Sequence, residues 1–148
     1  MKQKRFDPPT YLLIAIVAMI VLHMGAPGPK LLRMPFSLVG MFPLAAGLGM
    51  NVVASEAFRR ANTTIKPFRE SRSLLTGSLY RYSRHPMYAG MILALAGMAV
   101  LLGTTTPFLV LVPFAFVMNQ FANIEERGME KTFGDQYRIY RVRVRKWL

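Results

Sequence analysis

The sequence predicts an all-α integral membrane protein with four transmembrane helices, the last two forming a helical hairpin, followed by a cytoplasmic interfacial helix at the C-terminus. Three observations predict this class: 53% of the 148 residues are hydrophobic, the mean hydropathy is +0.29, and long stretches carry no charge. We therefore expect residues 1–148 to form a single membrane domain. The chain has no cysteine, which excludes a disulfide framework and a thiolate metal site, and we expect no metal.

The first two spans are predicted over residues 9–25 and 34–55. Pro9 suits the first turn of a helix, and a run rich in glycine and proline ends the first span. The second span is uncharged and long enough to cross a hydrocarbon core of about 30 Å. Within it, Gly47 and Gly49 are expected to bend the helix or to let a neighbouring helix approach closely.

Residues 86–124 form a third uncharged stretch, which is too long for one crossing. The helix breakers in residues 103–107 divide it into spans over 86–103 and 107–124. The two spans would form a hairpin, whose outer ends lie close together.

The distribution of cations predicts the orientation of the chain. Of the 19 Lys and Arg residues, 17 fall on one side of the four predicted spans, and only Lys30 and Arg33 fall on the other. Because cytoplasmic loops carry an excess of cations, both termini are predicted to be cytoplasmic, in a membrane of the bacterial inner type. The basic residues flank apolar spans, so nucleic acid is not an expected partner and membrane lipids are.

The tail after Glu130 alternates apolar and aromatic side chains with arginines, which is typical of a helix lying along anionic headgroups. Phe133, Tyr137, Tyr140 and Val144 are the side chains expected to face the membrane. Trp147 is expected to act as an interfacial anchor.

Two polar clusters lie at the two ends of the predicted hairpin. Arg84, His85 and Tyr88 stand at its start; Asn119, Gln120, Asn123, Glu125 and Glu126 stand at its end. If these ends converge, cations face carboxylates in a pocket with aromatic walls. Such a pocket would match a zwitterion that has a planar ring and a cationic centre, a description that S-adenosylmethionine fits.

In that arrangement, Arg84 or backbone amides would bind the ligand's carboxylate, Glu125 its ammonium group, and Tyr80 or Tyr88 its cationic centre. A simpler interpretation is that Arg84 and His85 begin a helix at the membrane surface and that Glu125 and Glu126 form a solvated helix end. The amides would then only join neighbouring helices.

One combined pattern carries a family resemblance: Gly77-x-x-Tyr80-x-x-x-Arg84-His85-Pro86-x-Tyr88-x-Gly90, then Glu125-Glu126, then Phe133-Gly134-x-x-Tyr137-x-x-Tyr140. It resembles the isoprenylcysteine carboxyl methyltransferases and the related phospholipid methyltransferases, from about Thr64 to Trp147. The resemblance implies an S-adenosylmethionine-dependent membrane enzyme that methylates a lipophilic acceptor at the cytoplasmic face. The cofactor region would comprise residues 72–90 and 119–140.

The resemblance also implies roles for single residues. Cofactor contacts would be Leu74, Leu75, Tyr80, His85, Pro86, Met87, Tyr88 and Glu125. Catalytic roles would fall to Arg84, His85 and Glu126, and substrate contacts to Asn119, Phe121 and Asn123. Phe121 stands where carboxyl methyltransferases of the family carry an arginine for the substrate carboxylate, so a less acidic acceptor is expected. Arg72 likewise replaces a histidine.

Two other functions remain open from the sequence. An NADPH-dependent membrane reductase of related architecture would resemble this chain at its C-terminal end, although such enzymes carry additional spans. A non-catalytic lipid-binding adaptor would keep the fold without the chemistry.

Overall fold

The computed structural model describes residues 7–61 and 74–148, and this part of the chain is helical. Two short 3-10 helices cover Phe36–Gly40 and Ser78–Arg81. The α-helices are α1 (Pro8–Gly25), α2 (Met41–Arg60), α3 (Pro86–Leu102), α4 (Phe108–Phe133) and α5 (Asp135–Arg143). The all-α prediction is confirmed for the described residues.

Each predicted span lies on a helical segment, and three helix ends differ from the predicted span bounds by two residues or more. The second span was predicted over 34–55, whereas helix begins at Phe36 and α2 continues to Arg60. The fourth was predicted to end at 124, whereas α4 continues to Phe133. In both cases polar and charged residues extend a helix that begins in apolar sequence, because Glu and Arg are themselves good helix formers.

Three helical segments in the described ranges are long and apolar enough to cross a membrane: Pro8–Gly25, Phe36–Arg60 and Phe108–Phe133. Helix α3 is also apolar, but at 17 residues it rises only about 26 Å. The helices support an integral membrane protein, and a fourth crossing by α3 stays a prediction.

Helix α2 packs most extensively against α3, and glycines permit the close approach. A Cβ atom on Gly47 would collide with the backbone at Gly90, and one on Gly97 would collide with the backbone at Leu44. The close contact predicted at Gly47 is therefore confirmed. Gly49, which was predicted with it, faces open space.

The apolar core lies between α1, α3 and α4. Met19, Leu95 and Met118 are its largest fully buried side chains. Phe121 of α4 is also buried there, and its ring meets that of Tyr11 edge to face at a centroid distance of 5.5 Å.

The hairpin of α3 and α4 turns at Gly103, which has a left-handed backbone with φ of 69°. Its outer ends converge as predicted, because His85 before α3 contacts Glu126 of α4. Gly134, with φ of 52°, then separates α4 from α5.

The predicted role of the C-terminal aromatic residues is wrong in part. Tyr137 and Tyr140 of α5 are buried against the protein rather than facing a membrane. Trp147 packs partly buried against the core. The outward face of α5 carries instead the exposed side chains of Ile139 and Val142.

Candidate functional site

A cavity of about 330 Å³ lies where the N-terminus of α1, the end of α2, the start of α3, the middle of α4 and α5 meet. This volume is at the lower end of the usual range for small-molecule sites. Its lining residues are Asp7, Pro8, Pro9, Phe58, Leu74, Leu75, Tyr80, Arg84, His85, Met87, Tyr88, Met91, Glu125, Glu126, Met129, Tyr137 and Tyr140. The walls are therefore apolar and aromatic, with a small set of ionisable groups.

Two carboxylates and two basic side chains form a charged cluster on one wall. Glu126 Oε1 lies 3.2 Å from Arg84 Nη2 and 3.1 Å from His85 Nε2. Glu125 Oε2 lies 3.5 Å from His85 Nδ1, and its Oε1 accepts a hydrogen bond of 2.6 Å from the Tyr88 hydroxyl. Both ring nitrogens of His85 thus face carboxylates.

This environment favours the charged imidazolium form of His85. Burial alone would lower the pKa of His85, but hydrogen bonds to Glu125 and Glu126 outweigh it and raise the pKa above its ordinary value. A doubly protonated ring can donate to both carboxylates at once. His85 is accordingly suited to holding the two glutamates in place.

Arg84 has unused hydrogen-bonding capacity beside the cavity. Its side chain is 10% exposed, and one Nη nitrogen pairs with Glu126. Its Nε and Nη1 are buried and have no hydrogen-bond partner among the described residues. Unsatisfied buried donors are rare and costly in folded proteins, so Arg84 has capacity for a further acceptor group.

Tyrosines form much of the remaining wall. The Tyr88 ring stacks on His85 at a centroid distance of 5.6 Å, and the Tyr140 hydroxyl donates a 2.6 Å hydrogen bond to the carbonyl oxygen of Tyr80. Burial raises the pKa of Tyr140 to about 12, and burial together with the nearby Glu125 raises the pKa of Tyr80 still further. These phenols stay neutral and present electron-rich ring faces.

Most residues that were predicted for the site do line the cavity: Leu74, Leu75, Tyr80, Arg84, His85, Met87, Tyr88, Glu125 and Glu126. Pro86 is fully buried in the first turn of α3, behind the lining. Residues 72 and 73 of the predicted cofactor region, and with them Arg72, lie outside the described residues. The roles of these residues toward a ligand stay predictions.

The three predicted substrate contacts lie elsewhere. Phe121 belongs to the core. The side-chain oxygens of Asn119 and Asn123 accept hydrogen bonds of 2.6 and 2.7 Å from Lys146 Nζ. None of the three is among the residues that line the cavity, and their assignment to substrate stays an untested prediction.

Several lining residues were given no individual site role from the sequence, although Met129, Tyr137 and Tyr140 fall within the predicted cofactor region 119–140. Tyr137 and Tyr140 stood in the family pattern but were interpreted as membrane-facing, although a pair three apart on a helix equally suits a buried face. Phe58, whose ring meets that of Tyr80 at 5.5 Å, and Met129 carry no signal that separates them from other apolar helical residues. Asp7 lines the cavity because α1 packs with its N-terminus beside the site, and the sequence does not indicate that packing.

Comparison with known proteins agrees with this geometry. A family model described as phospholipid methyltransferase matches residues 36–136, well over half of the chain. The chain thus belongs to the phospholipid methyltransferase family, a class of membrane methyltransferases.

Among individual proteins, an uncharacterized protein of Haemophilus influenzae is 40% identical over 63 residues, which make up 42% of this chain and all of that protein. No solved structure matches the chain.

Proposed function

We propose that this chain is an S-adenosylmethionine-dependent methyltransferase that modifies a lipophilic acceptor at the cytoplasmic face of a membrane. The observation that carries the proposal is the unpaired pair of buried Arg84 donors in the same cavity as Glu125. A ligand with a carboxylate and an ammonium group at one end satisfies both.

The residues present fit the cofactor that the family implies. Arg84 would hold the carboxylate, and Glu125, oriented by Tyr88 and His85, would hold the ammonium group. The ring faces of the cavity tyrosines would favour a sulfonium centre through cation–π attraction. Leu74, Leu75 and Met87 would surround the less polar remainder of the ligand.

The bound cofactor would supply an electrophilic methyl group. The protein's share of the chemistry is then to align donor and acceptor and to exclude water, and apolar walls suit both tasks. Because its pKa is raised by the two carboxylates, His85 is biased toward the imidazolium form, which has no free ring nitrogen to act as a base. For an amine or hydroxyl acceptor, Glu126 is the remaining carboxylate within the cluster that could accept a proton.

A nicotinamide reductase is less compatible with this cavity. NADPH carries several phosphate charges, whereas the described lining holds three carboxylates, Asp7, Glu125 and Glu126, against the two basic groups Arg84 and His85. The cavity is also at the small end of the range for ligands of ordinary size. Both features favour the smaller zwitterion.

Membrane placement completes the proposal. We assign four crossings, with α3 as the short third one and both termini on the cytoplasmic side. The exposed face of α5, with Ile139, Val142 and the arginines around them, would rest on anionic lipid headgroups. The acceptor would reach the cavity from the lipid phase.

The experiment is a pair of measurements on purified protein in lipid nanodiscs. Calorimetry with S-adenosylmethionine and, separately, NADPH is expected to show binding of the first only. Incubation with methyl-labelled S-adenosylmethionine and a membrane lipid extract is expected to label a lipophilic product. Binding of NADPH alone would favour the reductase, and binding of neither would favour the adaptor.

A matched pair of variants tests whether methyl labelling depends on the cavity. Glu125→Gln is expected to abolish labelling. Glu130→Gln, which removes a carboxylate that pairs with Arg138 on the surface, is expected to retain it. Equal labelling by the two variants would contradict the assignment of the cavity.

A further inference from the structure

The C-terminal segment Arg145–Trp147, here called the C-terminal clasp, returns to the site after α5 has ended. Its backbone lies beside the turn that carries Arg84 and His85. The Arg84 backbone N–H donates a 2.9 Å hydrogen bond to the Arg145 carbonyl, and Ser83 Oγ donates one of 3.3 Å to the Lys146 carbonyl. The clasp therefore holds the chain immediately before α3.

Ser83 relays this contact to His85. Ser83 is fully buried, and its Oγ also accepts a 3.2 Å hydrogen bond from the His85 backbone N–H. The Trp147 ring lies 6.1 Å from the His85 ring and is tilted by 48° to it, whereas the Tyr88 ring is stacked on it. Backbone and ring of His85 are thus both in contact with groups that the clasp positions.

Lys146 fastens the clasp to α4. Its Nζ donates hydrogen bonds of 2.6 Å to Asn119 and 2.7 Å to Asn123, which lie one helical turn apart. Glu126 follows Asn123 by three residues on the same side of α4, where it forms an ion pair with Arg84 and a hydrogen bond with His85. Lys146 consequently links the two elements whose side chains form the charged cluster.

We propose that Lys146 is a positioning residue, which sets the register between the Arg84–His85 turn and the Glu125–Glu126 turn of α4. The importance of that register for cofactor binding rests on the proposed function. Charge-assisted hydrogen bonds from Lys146 to two amide oxygens are stronger than hydrogen bonds between neutral groups would be. The proposal also gives a reason for two amides in an apolar stretch of α4, since the side-chain oxygen of each accepts a hydrogen bond from Lys146.

The test compares Lys146→Met with Arg143→Met. Both variants remove one cation near the C-terminus and keep an unbranched side chain, but Arg143 is exposed and lies outside the clasp. The first readout is the histidine ring signals in an NMR spectrum of labelled protein. The chain has only two histidines, so His23→Gln assigns the signals.

Lys146→Met is expected to shift the His85 ring signals and leave those of His23 in place, because His23 pairs with Thr104 far from the clasp. Arg143→Met is expected to shift neither. As a second readout, Lys146→Met is expected to weaken S-adenosylmethionine binding about tenfold, which corresponds to the loss of about one charge-assisted hydrogen bond.

Unchanged His85 signals in folded Lys146→Met would overturn the proposal. If Lys146→Met does not fold, Asn119→Ala removes one of the two acceptors and must produce a smaller shift of the same signals, and the absence of that shift would likewise overturn it. Should His85 move while the unmodified protein binds no S-adenosylmethionine, the positioning of His85 by Lys146 stands and the proposed function fails.

Discussion

Glu125 and Arg84 occupy complementary positions in the cavity, one offering an acceptor and the other two unpaired donors. Each side chain is held in position by a neighbour: Glu125 by the Tyr88 hydroxyl, and Arg84 by Glu126. The cofactor's amino-acid end would complete both sets of hydrogen bonds.

Glu125→Gln is expected to weaken S-adenosylmethionine binding by about 2–4 kcal/mol, because the ligand's ammonium group loses a charged partner. Calorimetry on nanodisc-reconstituted protein measures this directly, with Glu130→Gln as the control. An affinity equal to that of the unmodified protein would show that Glu125 does not meet the ammonium group.

The titration of His85 offers a test that needs no ligand. The pKa of His85 is raised, so its ion pairs stabilise the fold fully below the unfolded value of about 6.5 and the contribution is lost as pH rises through the folded pKa. Glu126→Gln removes one of the two carboxylates and is expected to lower the His85 pKa, as followed by NMR of the ring signals. A His85 pKa that stays the same or rises in this variant would contradict the described cluster.

Single residues also show where sequence reasoning reaches and where it stops. Arg84, His85 and Glu125 were predictable because a hairpin must bring the two ends of an uncharged stretch together. The partner of Asn119 and Asn123 was not, because Lys146 lies 27 and 23 residues further along the chain and no local pattern connects them.

Among the helices, the contact between α2 and α3 depends on glycine at positions where backbones touch. Gly97→Ala is expected to destabilise the protein by about 1–3 kcal/mol, because a Cβ there meets the backbone of α2 and the helices must separate. Thermal unfolding in detergent checks this.

Gly49→Ala, on the neighbouring helix α2, provides the matched control. Its Cβ would meet no neighbouring atom, and alanine is the better helix former, so this variant is expected to be neutral or slightly stabilising. Equal destabilisation by the two substitutions would show that the close contact at Gly97 does not cause the effect.

The ends of helices could be predicted where glycine or proline residues interrupt the chain. They could not be predicted where a span bound was placed at the first charged residues, because such residues can continue a helix. The turn at Gly103 follows from glycine and proline residues between two apolar runs. Helix α4 continues past the span bound predicted at residue 124, because residues 125–127 include good helix formers, and it ends only before Gly134. The face of α5 was misassigned because tyrosine serves equally at a membrane surface and in a buried wall.

Across the whole molecule, the asymmetry of 17 cations against two predicts that both termini and the cavity share the cytoplasmic side. The natural absence of cysteine makes a direct test possible. Arg143→Cys is expected to react with an impermeant thiol reagent only from the cytoplasmic side of sealed vesicles, and Lys30→Cys only from the opposite side. Reaction of both from one side would refute the four-span arrangement.

The cavity itself is a property of the assembled helices. The residues that line it come from segments as far apart in the sequence as Asp7 and Tyr140. From the sequence alone, only residues in the family pattern could be assigned to the site. The apolar contributions of α1 and α2 follow from packing, which composition does not specify.

The most direct measurement is an experimental structure of the protein in lipid with S-adenosylhomocysteine, the demethylated product of the proposed cofactor. We predict the ligand in the described cavity, with its carboxylate within hydrogen-bond distance of Arg84 and its ammonium group within hydrogen-bond distance of Glu125. A ligand bound elsewhere, or in the cavity with neither contact, would contradict the proposed site.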